Sequence, residues 1–160
     1  MDKTIKVLIN MIVSLLKGRE SNRERLYRIS KACIGLDIGR YYNKLSCMEV
    51  VNKLVELATK KPILTGLVST IRGLEILTSD NRFREVSKVE DKIFYLLPGL
   101  IIISATEGKN IGHCGIISDN GKILSNNSIN GRLEEHWTHK RWLEHFSKKK
   151  GLSVRYFRVI

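Results

Sequence analysis

Two short apolar runs on either side of one tight turn restrict the folds open to this chain more than any other stretch. The turn is Asp119-Asn120-Gly121, and an Asn-Gly pair between apolar runs is the strongest short-range sequence signal for a β-hairpin. The flanking runs cover residues 112–118 and 122–128. The sequence therefore predicts two antiparallel strands, with His113 opening the first and a cluster of Ser and Asn closing the second.

Cys47 lies where a helix is expected to begin. Ser46-Cys47-Met48-Glu49 matches the S-x-x-E capping box, which predicts Ser46 as the N-cap and Cys47 as the first helical residue. Apolar residues then recur at helical spacing from Val50 to Ala58. The positive end of a helix dipole favours thiolate over thiol, so this position indicates a reactive cysteine. A buried structural cysteine is the alternative interpretation.

A strand-borne histidine beside a small polar amide provides the other half of a nucleophilic site. In such sites the imidazole takes the thiol proton and a third group fixes the tautomer of the ring. His113 and the Ser/Asn cluster meet this description, and Cys47 is the candidate nucleophile. Strand alternation adds that Cys114 points away from His113 and into the core, which makes it a poor nucleophile.

The rest of the chain carries signals for alternating helices and strands in one domain. A capping box at Ser21 and Glu24 predicts a helix that ends at Gly35 and places Cys33 in the core. The other predicted elements are a helix over 3–16, a loop over 36–45, a helix over 69–78, an edge strand over 83–86, a central strand over 100–104, a helix over 138–146 with Trp142 and Phe146 facing the core, and a strand over 152–160.

Charge and cysteine number limit the classes of function. The chain has 28 Lys and Arg against 16 Asp and Glu, a net charge of +12, which favours an anionic partner such as nucleic acid, an acidic membrane surface or cell wall. Three cysteines, an odd number, argue against a disulfide framework and for reduced thiols in a cytoplasm.

The N-terminal apolar run over residues 7–16 is too short to span a bilayer. It is followed by Lys17-Gly18-Arg19-Glu20 rather than by a small-residue cleavage site, so a signal peptide is not favoured. We interpret residues 3–16 as an amphipathic or docking helix, with membrane association through it as the less favoured alternative. Because no signal peptide is favoured, we expect the protein to be cytoplasmic when made.

Three histidines near the C-terminus, His136, His139 and His145, raise the question of zinc. They lack a partnering cysteine or the H-E-x-x-H pattern, so no metal or other cofactor is expected. The cluster Lys148-Lys149-Lys150 fits the end of a helix, or a patch that holds anionic wall polymers. No nucleic-acid-binding motif is present, so no specific nucleic acid is expected as a partner.

Taken together, several of these stretches resemble the NlpC-like branch of the papain-type cysteine peptidases, and small phage-type peptidoglycan hydrolases most closely. The resemblance covers residues 21–160 and leaves residues 1–20 outside as an N-terminal helix. The stretches that carry it are Leu45-Ser46-Cys47, Pro98-Gly99 before an Ile-rich strand, Gly112-His113-x-Gly115-Ile116-Ile117, Ile123-Leu124-Ser125-Asn126-Asn127-Ser128, the Trp142 helix and the terminal Val154-x-Tyr156-Phe157-Arg158 strand.

The resemblance implies an α+β fold with a papain-like core, in which N-terminal helices pack on an antiparallel sheet. It implies metal-free hydrolysis of amide bonds in the stem peptides of peptidoglycan, with the wall or its peptide fragments as substrate. Carried over to this sequence, Cys47 is the nucleophile, His113 the general base and Asn126 the third residue. A register shift of one residue would bring Ser125 or Asn127 to the histidine instead.

The backbone N–H of Cys47, at the start of its helix, is the expected oxyanion donor. The alternative class of function is a non-catalytic basic protein that binds nucleic acid or another anionic polymer, or that docks through its N-terminal helix. That class accounts for the charge. It does not account for a capped Cys47, a strand-borne His113 and a nearby amide in one chain.

Overall fold

The computed structural model describes residues 20–41, 44–65, 69–86 and 97–160 of the chain. These residues form helices packed against an antiparallel sheet, so the predicted α+β class is correct. The predicted N-terminal helix over residues 3–16 lies outside the described residues. Within them, no helix combines the length and apolar character that crossing a membrane requires.

Helices and strands are numbered here in chain order. The helices are α1 (Asn22–Ala32), α2 (Cys47–Thr59), α3 (Thr70–Ser79) and α4, an α-helical turn over His139–Trp142 that continues as a π-helix over Leu143–Lys149. The strands are β1 (Arg40–Tyr41), β2 (Lys44–Leu45), β3 (Phe83–Glu85), β4 (Ile101–Ser104), β5 (His113–Ile117), β6 (Lys122–Asn126), β7 (Leu133–Thr138) and β8 (Arg155–Val159).

Six of the strands form one antiparallel sheet in the order β3-β8-β4-β5-β6-β7, and β1 pairs with β2 separately. The predicted hairpin is confirmed as β5 and β6, joined by a 3-10 turn over Asp119–Gly121. Asn120 and Gly121 have φ values of 54° and 66°, a conformation that Asn and Gly adopt most readily, which explains the sequence signal. As predicted, β4 is a buried inner strand and β3 lies at an edge.

The sheet separates two apolar clusters, and strand alternation distributes the side chains of β5 between them. Cys114 and Ile116 belong to the larger cluster with α1 and α2, whereas Ile117 belongs to the smaller cluster with α4. Cys114 and Cys33 are 0% and 1% exposed, so both predicted core positions are confirmed. Trp142 and Phe146 are both buried in the α4 cluster, as their spacing predicted.

Both predicted helix starts are present. At α1, Ser21 and Glu24 make the two reciprocal bonds of a capping box. At α2, the Ser46 side chain accepts the Glu49 N–H at 3.3 Å, while the Glu49 carboxylate lies 3.0 Å from the ammonium of Lys53.

Three features differ from the sequence prediction. Strand β7 was not predicted, since a bulge between Ile123 and Ser125 in its pairing with β6 interrupts the alternation. The segment over 36–45 was expected to be a loop, yet it contains β1 and β2. The helix expected to end at Phe146 continues to Lys149, and its last turns form a π-helix.

Candidate active site

Helix α2 places Cys47 at its first residue. Ser46 has extended backbone angles (φ −140°, ψ 119°) and caps the helix, so Cys47 is the first residue with helical geometry. The Cys47 side chain is partly exposed. Its backbone N–H belongs to the first turn, where N–H groups have no acceptor within the helix. These free N–H groups form the positive end of the helix dipole.

Strand β5 and helix α4 hold His113. The residue pairs with Ser104 of β4, and its imidazole stacks on the Trp142 indole with ring centroids 5.4 Å apart. The indole is itself fixed, because its Nε1–H donates to the Ser104 hydroxyl at 3.1 Å. The His113 imidazole therefore lies on the α4 face of the sheet, packed against an indole ring that a hydrogen bond holds in place.

Cys47 and His113 line the same cleft, of about 280 Å³. Asn126, the predicted third residue, lines it as well. The structure thus brings all three sequence-predicted site residues to one opening in the surface. The other lining residues are Ile111, Gly112, Ser128, His136, Trp137, Phe146 and Lys150.

The Cys47 thiol has a pKa well below that of an ordinary cysteine. A hydrogen bond from the Cys114 side chain is the main cause, and the charge of His113 and its hydrogen bond act in the same direction, against the effect of burial. The thiol of Cys114 donates in this pair, and burial raises its own pKa. Burial also raises the pKa of Cys33, to about 11. Of the three cysteines, Cys47 is therefore the one that is poised to ionise.

Asn126 lies on the Cys47 side of the sheet. It pairs with Leu133, which belongs to the core cluster of α1 and α2, whereas His113 emerges on the α4 side. The side chain is 2% exposed, and its Oδ1 has no hydrogen-bond partner within the described residues. A Cβ added at Gly39 would lie 2.2 Å from this oxygen, so glycine is required for the close approach of the backbone there.

The two alternatives for the third residue are distinguished by their contacts. Because side chains alternate along β6, Ser125 lies on the same face of the sheet as His113. It is fully buried beside Gly115, where an added Cβ would lie 3.0 Å from the Ser125 Cβ. Its hydroxyl has no partner among the described groups. Asn127 is engaged elsewhere, since its amide donates to the Glu134 carboxylate at 2.9 Å. Asn126 thus shares the cleft with the thiol, and Ser125 shares the sheet face of the imidazole.

Three cleft residues were not singled out as site residues from the sequence: His136, Trp137 and Lys150. The first two come from the unpredicted strand β7, and burial lowers the pKa of His136, with the charge of His113 acting the same way. In the sequence, Lys150 is only one member of the cluster Lys148-Lys149-Lys150. The sequence offered no clear signal for strand β7, because the bulge in its pairing with β6 places Leu133 and Trp137 in different apolar clusters.

His136, His139 and His145, the three histidines considered as zinc ligands from the sequence, lie in different surroundings. His136 lines the cleft, the Nε2 atom of His139 lies 2.6 Å from the hydroxyl of Tyr156, and His145 contacts Phe146 edge-on. In the described part of the chain, no three His, Cys, Asp or Glu residues are grouped so that they could hold a metal ion.

A scan of the chain against models of known protein families finds no matching family, and a search of curated proteins finds no match.

Alkylation of Cys47 provides a direct test of its ionisation. Because the thiolate is the reactive species and the pKa of Cys47 is lowered, we expect the iodoacetamide rate at Cys47 to rise with a midpoint below about pH 8.5, the ordinary cysteine pKa. Cys114→Ala removes the main stabilising donor and should move the midpoint to higher pH. Mass spectrometry of the modified peptides gives the rate at each cysteine, with buried Cys33 as the unreactive internal control. A wild-type midpoint at or above the ordinary value would contradict the assignment.

Proposed function

We propose that the protein is a papain-type cysteine hydrolase with an NlpC-like core that cleaves amide bonds in the stem peptides of peptidoglycan. The observation that supports it most is the shared cleft of Cys47 and His113, in which the thiol pKa is lowered well below its usual range. The α2 helix start and the antiparallel sheet agree with the architecture that the sequence resemblance implies.

The chemistry follows from the positions of these groups. The Cys47 thiolate attacks the carbonyl carbon of the amide, and the oxyanion that forms accepts the Cys47 backbone N–H. When the C–N bond breaks, the His113 imidazolium gives its proton to the leaving amine, and a thioester remains on Cys47. His113 then takes a proton from water, whose oxygen attacks the thioester. The acid is released and the thiolate returns.

The charge of the protein supports a wall substrate. The sequence carries a net charge of +12, and a cationic surface concentrates a protein on an anionic polymer. The cleft is open to solvent and has about 280 Å³ of space, which suits a short segment of peptide rather than a deeply enclosed small molecule.

Digestion of purified peptidoglycan tests the proposal. We expect the protein to release peptide-bearing fragments in which each cut has added one water and produced one new amine and one new carboxyl group. Mass spectrometry of the soluble fraction identifies the bond. Protein whose Cys47 has been alkylated beforehand is the control and should release nothing.

Absence of any new fragment would count against the hydrolase. If the intact protein then bound both DNA and wall fragments, with an affinity that falls steeply as salt rises, the non-catalytic basic class would be the better description.

A further inference from the structure

The charges that line the cleft all have one sign. Its basic residues are His113, His136 and Lys150, and no Asp or Glu is among the residues that line it. Burial lowers the pKa of His136, which disfavours its charged form. Lys150 adds an ammonium group to this opening.

The ammonium group of Lys150 is held in place. It donates to the carbonyl oxygen of Ile111 at 2.7 Å and lies 5.1 Å from the centroid of the Phe146 ring. The backbone of the lysine is also tied down, because its carbonyl accepts the Asn110 side-chain amide at 2.9 Å. A fixed side chain loses little conformational entropy when a ligand binds.

The same ammonium group retains donors for a ligand. An ammonium has three N–H bonds, and the contact with Ile111 uses one. Among the described residues, no carboxylate lies within 4.0 Å of the Lys150 nitrogen. Lys149, the preceding residue, is exposed and does not line this cleft.

Lys150 lies in the same cleft as the Cys47 thiol, which limits the substrate groups that it can contact. This cleft has a volume of about 280 Å³, and the ammonium of Lys150 donates to the carbonyl of Ile111, which lines that cleft as well. A peptide bound with its scissile carbonyl at Cys47 therefore occupies a cleft that Lys150 also lines. Lys150 is therefore placed beside a substrate group close to the bond that is cut.

We propose that Lys150 binds a free carboxylate of the substrate, close to the scissile amide, so that the preferred substrates are acidic peptides. This inference rests on the proposed hydrolase function and specifies its substrate class. A charge-assisted hydrogen bond to a fixed ammonium is stronger than the neutral bond that a carboxamide offers. Exchange of the carboxylate for a carboxamide should lower kcat/KM about tenfold or more.

The test uses two short stem-type peptides that differ at one residue next to the scissile bond, glutamate in one and glutamine in the other. Wild-type protein should favour the glutamate peptide in kcat/KM by about tenfold or more. Lys150→Gln should hydrolyse the two peptides at similar rates, and Lys150→Arg should keep most of the preference because its charge remains. Lys149→Gln is the matched control and should behave as wild type.

Binding to the Cys47→Ala protein, measured by calorimetry, separates this inference from the hydrolase itself. If neither peptide is cleaved but the glutamate peptide binds more tightly and Lys150→Gln abolishes the difference, the carboxylate site stands without the hydrolase. Equal kcat/KM for both peptides in wild-type protein would overturn the carboxylate site and leave the hydrolase in place. Equal binding without cleavage would overturn both.

Discussion

Replacement of Cys47 by alanine is expected to lower the rate of amide hydrolysis by about 10³-fold or more, since removal of a nucleophile removes the covalent route altogether. The fold should survive the change. The Cys47 side chain is partly exposed, Ser46 still caps the helix, and alanine is the best helix former available for the first turn. Release of peptide fragments from peptidoglycan gives the rate, and urea denaturation gives the free energy of unfolding.

Cys33→Ala is the matched control for this variant. It removes a thiol that is buried in the core, does not line the cleft and has its pKa raised to about 11, so hydrolysis should stay near the wild-type rate. Hydrolysis by Cys47→Ala at the wild-type rate would remove Cys47 from the mechanism. A comparable loss in both variants would point to an effect on the fold rather than on the chemistry.

Much of the fold could be predicted because its signals are local. The capping residues Ser21 and Ser46 satisfy N–H groups three residues away, and the turn at Asn120 and Gly121 needs backbone angles that few residues adopt. These devices act within four or five residues of chain. A single sequence is enough to read them.

Strand β7 could not be predicted because tertiary contacts define it. The bulge in its pairing with β6 breaks the alternation that identifies a strand, and β7 is stabilised by its neighbour rather than by its own pattern. The π-helical end of α4 likewise depends on packing, since Phe146 is buried between the sheet and the helix. Sequence periodicity assumes regular geometry and fails where the geometry is irregular.

The sequence indicated Cys47, His113 and Asn126 as candidate site residues but not how they are arranged around the cleft. Helix capping indicated Cys47 and the hairpin indicated His113, yet which face of the sheet each neighbour occupies depends on register and on where the strands separate. Asn126 and Ser125 are adjacent in sequence and lie on opposite faces. Lys150 enters the cleft from the end of α4, a contact between distant parts of the chain.

Trp142→Ala is expected to lower the free energy of unfolding by about 3–5 kcal/mol, the usual loss for a fully buried aromatic residue. The indole is 0% exposed and contacts the rings of Phe146 and His113 at 4.7 Å and 5.4 Å. Its removal leaves a cavity under the His113 imidazole and takes away the donor to the buried Ser104 hydroxyl. Urea denaturation measures the change as a lower midpoint at an unchanged m-value.

Trp142→Phe isolates the packing from the hydrogen bond. The phenyl ring keeps the support under His113 but leaves the Ser104 hydroxyl without its donor, so we expect a smaller loss of about 1–3 kcal/mol. Ile129→Ala, at a side chain that is 88% exposed, should change stability by less than about 0.5 kcal/mol. A Trp142→Ala variant as stable as the Ile129 control would contradict the packing argument. Because the imidazole rests on this ring, the Phe variant should also retain more hydrolysis than the Ala variant at a temperature where both are folded.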